Sequence, residues 1–236
     1  MPSSDGSSCI LTSKEFQEKT AEPPQRFGFA FDDEVTHASS GDKHFDRAYA
    51  ITLLKLSKTF NVLPSFVFFR EKPDVGRNAY ASPERLSANS PRDVSMAYGL
   101  NLMGDQLKGA YGGIPGIVGV TAHEFGHLLQ FRTGIAEQLR LPNGNYFRGE
   151  LHADYLAGYY LAIRAEENSG FNASEVISTF GMMGDESYNR PGHHGTNAQR
   201  LQAISLGYRL YKDNRMNFSD AIQSGLNHVN SVRQGG

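Results

Sequence analysis

The chain has a single cysteine, Cys9, among 236 residues, so no intramolecular disulfide can form. Both a reducing cytoplasm and an exported, disulfide-free existence stay open. Neither sign of charge is in excess. The 23 Lys+Arg against 25 Asp+Glu, a formal net charge of −2, argue against a nucleic-acid partner and against a polybasic membrane surface. No uninterrupted apolar run approaches the ~18–20 residues of a transmembrane helix, so no transmembrane segment is expected. Residues 1–8 are serine-rich without an apolar stretch, and no signal peptide is expected in this chain. Internal repeats and composition shifts that would mark a linker are also lacking.

The remaining composition, 39% hydrophobic and 20% charged, fits a soluble globular protein long enough for a substantial core. Residues 1–25 are polar and end in Pro23-Pro24, which predicts a flexible N-terminal arm. A single domain is expected over residues 26–236. Phe27, Phe29 and Phe31 alternate with small residues, a strand signal. Residues 42–60 read as a helix capped by Asp42, with Phe45, Tyr49, Leu53 and Leu56 at helical spacing. Strands are predicted at 65–69, 78–81 and 93–103, followed by a glycine-punctuated connection. Helices are predicted at 114–131 and 150–168, with a loop-rich insert at 134–149 between them. Three more follow, one capped by Asn172 or Ser174, one over residues 196–212, and a last one capped by Ser219. Strands first and helices later make an α+β pattern rather than alternating βαβ units. His37 and His44 fall outside any motif and read as surface or helix-end residues.

His123-Glu124-Phe125-Gly126-His127 carries the chemistry. Four residues turn a helix by about 400°, so both imidazoles lie on one face, one turn apart, and can reach one Zn²⁺ at about 2.0–2.1 Å. Glu124 projects about 100° further round, where it can meet a water without being a ligand, the position of a general base. Two exposed helix histidines beside an acid would give the same pentapeptide, so the metal reading needs a third ligand. Glu150 on the next helix supplies one and leaves the fourth position for water. Asp154, one turn on, is spaced to accept the Nδ1–H of a ligand histidine. Without the upstream motif the two acids would read as a solvated helix face. His152 becomes a further ligand only if that helix is shifted.

H-E-x-x-H followed by E-x-x-x-D on the next helix resembles the gluzincin zinc metallopeptidases. The segment from Glu150 through Asp154 to Gly158 is most similar to the CaaX-protease/heat-shock protease-like and the bacterial neutral zinc metallopeptidase families. The resemblance covers roughly residues 60–205. It implies a zincin-like α+β fold, with a small, mostly antiparallel sheet followed by a helical bundle carrying the two motifs on adjacent helices. It implies one zinc ion on His123, His127 and Glu150, Glu124 as general base, and Asp154 as partner of a ligand histidine, His123. The spacing from His194 to Arg200 is similar to a histidine–arginine pair of the first group, with Gly195 where those proteins usually have proline. By that resemblance His194 stabilises the oxyanion and Arg200 buttresses the site, with His193 as the alternative donor. Asn78-Ala79-Tyr80-Ala81 is similar to a cleft-edge strand that pairs with an extended peptide substrate. The expected activity is zinc-dependent endoproteolysis. A non-catalytic zinc-stabilised binding module and a latent peptidase, gated by the arm or by residues 134–149, are the alternatives.

Overall fold

Asp42 opens the first helix, α1 (Lys43–Phe60), by accepting the backbone N–H groups of His44 and Phe45 at 2.8 and 3.1 Å. This satisfies donors that a helix start leaves without intrahelical partners. Asn61 ends it in a left-handed conformation. The helix buries Tyr49, Leu56 and Phe60 along one stripe, the stripe that the apolar spacing predicts. The computed structural model describes residues 36–71, 76–87, 89–185 and 193–233. The predicted arm (1–25) and the strand predicted at Phe27, Phe29 and Phe31 lie outside these residues.

Four strands form one sheet, β1 (Thr36–His37), β2 (Ser65–Phe69), β3 (Ala79–Ser82) and β4 (Ser95–Gly99), in the order β1-β2-β4-β3. The sheet is mixed. Its two outer pairings are antiparallel, whereas β2 and β4 run parallel, Ser65 beside Ser95 through Phe69 beside Gly99. β4 is inserted between the two preceding strands, so the central pairing is not a hairpin.

One expectation fails next to β4. The strand predicted over 93–103 stops at Gly99, and α2 (Leu100–Leu107) begins at once. The cause is distant in sequence. Glu71 is buried, and its carboxylate accepts the N–H groups of Asn101 and Leu102, both at 2.8 Å. It therefore caps a helix whose own N-cap residue, Gly99, offers no side chain. A Cβ at residue 99 would collide with that carboxylate. We expect Glu71→Ala to lower stability by about 2 kcal/mol, the loss of a cap whose bonds go to a charged acceptor. Urea unfolding should show a lower midpoint at unchanged slope.

The helical part is built around α3 (Gly113–Thr133), buried from Gly116 through Gln130 apart from Val120. A helix apolar on all sides is one packed on all sides. Strands β3 and β4, α1, α2 and α5 (Phe147–Glu167) all pack against it. The segment between them is partly ordered into a short helix, α4 (Ile135–Leu139). Then come α6 (Ala173–Phe180), capped by Asn172, and α7 (Asn197–Asn214), which Thr196 and Gln199 open with a reciprocal capping box. The last helix, α8 (Phe218–Ser231), is capped by Asn217 rather than by Ser219. Asn217 accepts the Asp220 N–H, so Ser219 is already inside the first turn. Among the described residues no helix is long and apolar enough to cross a membrane.

Candidate metal centre

The centre forms where α3 and α5 touch. Gly126 faces Ala153 so closely that a Cβ on residue 126 would stand 2.8 Å from the Ala153 Cα. This contact brings the H-E-x-x-H face of α3 onto the first turns of α5. His123 Nε2 and His127 Nε2 are 3.1 Å apart, and Glu150 completes the triangle at 3.5 Å from each, Oε2 toward His123 and Oε1 toward His127. Ligands at about 2.0–2.1 Å from one tetrahedral ion are separated by about 3.3 Å, so these spacings suit such an ion. All three side chains are buried, and the group could hold a metal ion. The chemistry of the donors agrees with that. Glu150 Oε1 has no hydrogen-bond partner, and gathering a carboxylate and two ring nitrogens away from water is unfavourable without a cation or a proton between them.

Both rings are held from behind. His123 Nδ1 lies 2.8 Å from Asp154 Oδ1, approaching at a bent angle. Arg200 grips Asp154 with two bonds of 2.7 Å, from Nε to Oδ2 and from Nη2 to Oδ1. The capping box of α7 fixes where Arg200 starts, and its guanidinium also lies over the Phe180 ring. His127 Nδ1 is 2.9 Å from Gln130 Oε1. Burial works against charge on Asp154, but Arg200 outweighs it and holds that carboxyl below its ordinary range. Burial likewise opposes charge on Glu150, and the surrounding histidines, His194 first, keep it well below the usual carboxylate value. His123 is raised, because Asp154 and Glu150 overcome the burial of its ring.

Glu124 behaves in the opposite way. Burial pushes its carboxyl up to about 8, with only partial relief from His127 and from the Ala81 backbone N–H. A cation at the neighbouring donors would pull it back down. Its Oε2 is buried and has no partner. Beside it opens a cavity lined by His123, Glu124, Arg77, Asn78 and Arg200 together with the largely apolar Leu102, Val120, Phe180 and Met183.

The residues read from sequence are thus mostly brought together: His123, Glu124, His127, Glu150, Asp154, Arg200 and the backbone of Ala81. His194 joins them, with Nδ1 2.8 Å from Glu150 Oε2. His193 does not; it turns to Asp185 Oδ1, at 2.8 Å, and against the Phe147 ring. His152 faces Gln130 and the Ile222 carbonyl instead of the donors. Asn78 borders the cavity, whereas Tyr80 packs with Val67, Phe69 and Ala97 on the far side of the sheet. Residues Ala79–Ser82 are all buried, so this strand is covered. Sequence reading missed Gln130, Tyr146 and Asp185. Gln130 was within reach, because a residue three past His127 shares its helix face. The other two come from irregular segments with no periodic signal.

No protein-family model matches the chain, and comparisons with curated proteins and with solved structures find no significant match.

Proposed function

We propose that the protein is a zinc-dependent endopeptidase of gluzincin type. The observation that carries this is the pairing of two features. Two imidazole nitrogens and a carboxylate converge at tetrahedral spacing, and the buried Glu124 oxygen without a partner lies beside them. A purely structural site closes with four protein ligands and has no use for an acid next to it. The His₂Glu donor set suits zinc, and that ion when bound supplies a Lewis acid that acidifies water and polarises a carbonyl. Glu124 takes a proton from the attacking water and passes it to the leaving amine as the C–N bond breaks. His194, seated on Glu150, is assigned to the oxyanion of the attacked carbonyl. The cavity beside Glu124 receives an apolar substrate side chain. The sequence resemblance to gluzincins supports the same reading.

The test is cleavage of unfolded casein by the purified chain. We expect hydrolysis that a zinc chelator abolishes and added zinc restores. A chain shown to carry one zinc per molecule and still inert on casein and on a peptide library would sink the reading.

The burial of β3 favours a second version, a peptidase held latent. Pairing with an extended substrate requires a strand edge open to solvent, and Ala79–Ser82 are covered. Deleting residues 1–25 tests the arm as the cover: faster turnover supports it, and unchanged turnover removes it.

A further inference from the structure

Gln130 lies one turn beyond His127 on α3 and is fully buried. A glutamine amide has two N–H donors and two carbonyl lone pairs, and here all four are engaged. Nε2 is 2.8 Å from the Gly149 carbonyl oxygen and 3.1 Å from His152 Nδ1. Oε1 is 2.7 Å from the Tyr146 hydroxyl and 2.9 Å from His127 Nδ1.

Two backbone carbonyls fix every proton in this network, because a carbonyl can only accept. The Gly149 oxygen requires that the amide nitrogen, not the amide oxygen, face it. The Ile222 oxygen on α8 is 3.2 Å from His152 Nε2, so that nitrogen carries the ring proton. His152 Nδ1 then presents a lone pair to the second N–H of Gln130. Oε1 is left as an acceptor on both sides, so Tyr146 donates its hydroxyl proton and His127 donates from Nδ1. A neutral imidazole protonated on Nδ1 has its lone pair on Nε2, the atom 3.1 Å from His123 Nε2.

We propose that Gln130 is a positioning residue of the metal centre, which locks His127 in the tautomer and ring orientation that aims Nε2 at the ion. The proposal rests on the zinc reading above. The same amide binds Gly149, the residue before Glu150, so one side chain ties a ligand of α3 to the turn that carries the ligand of α5. A neutral acceptor is suited to this place. Asp154, Glu150 and Glu124 already put three carboxyl groups in one buried volume, and a fourth would add repulsion that Arg200 cannot balance.

The experiment has two arms. In the first, zinc affinity of wild type and of Gln130→Met, similar in length and unable to hydrogen-bond in this way, is measured by competition with a chromophoric chelator. The expected result is 10- to 100-fold weaker binding, roughly the usual effect of removing a partner behind a metal-bound histidine. Equal affinity overturns the proposal. In the second, long-range ¹⁵N–¹H spectra of histidine-labelled wild type, free of metal, report the His127 tautomer. A proton on Nδ1 is expected, and a proton on Nε2 overturns the proposal even where the variant does not fold. Failure of wild type to bind zinc sinks the peptidase reading instead, and the tautomer still decides the role of Gln130.

Discussion

We expect Glu124→Gln to lower peptide hydrolysis by a factor of about 10²–10⁴ or more while one zinc per chain is retained. The two side chains have the same shape, and Glu124 is not among the three donors that converge. What is lost is the ability to take a proton. Activity within a few-fold of wild type would remove Glu124 from the mechanism. The same variant makes a separate statement about stability. Burial raises the Glu124 carboxyl from 4.5 to about 8, so the folded, metal-free state holds a proton that the unfolded chain gives up. A raised acid stabilises the fold fully below its unfolded value and loses that contribution as pH rises toward its folded value. Metal-free wild type therefore loses stability relative to Glu124→Gln between about 4.5 and about 8. Melting temperatures in chelator across that range check it; parallel curves would contradict it. Bound zinc should shrink the difference, because its charge favours the ionised carboxylate.

Arg200→Met carries the largest expected cost in stability. Asp154 is wholly buried, and Arg200 supplies two of its hydrogen bonds. Removing the cation leaves a buried carboxylate with only the bent contact to His123. Breaking such a pair from one side costs about 3–5 kcal/mol, which for a chain of this size lowers Tm by roughly 6–20 °C. Zinc affinity should fall as well, since Asp154 orients His123. The diagnostic is the double variant Arg200→Met/Asp154→Asn. Without the orphaned charge it should be more stable than Arg200→Met alone, a non-additivity expected of residues in direct contact. If the two substitutions simply add, the pair is not what holds this part of the core.

Features governed by neighbours in sequence were legible. Asp42 and Asn172 act within three residues of the groups they cap, and α3 and α5 follow from spacing alone. The donors His123, His127 and Glu150 could be placed because each pair constraint lies along a helix or across one helix contact. Features set by distant partners were not legible. The strand predicted through Met103 gives way to a helix because Glu71, just past the end of the neighbouring strand β2, caps it. The parallel pairing of β2 with β4 depends on strand insertion, which local alternation does not record. The choice between His193 and His194 depends on Asp185, which engages the ring of one and the backbone N–H of the other.

The contact of Gly126 with Ala153 also determines where this chain can grow. Donor separation is set at that touching point of α3 and α5, so the length of the segment joining the helices is not a ruler for the site. The tip of that segment, Pro142 to Gly144, is exposed and closes on itself through the 2.9 Å bond from Leu141 N to Asn145 O. Tyr146 and Phe147 lie beyond the closure, anchored in the core. Extending a surface loop costs only about 0.6 kcal/mol per doubling of its length. A peptide tag or a small folded module spliced between Asn143 and Gly144 should therefore leave the His–His–Glu triangle in register.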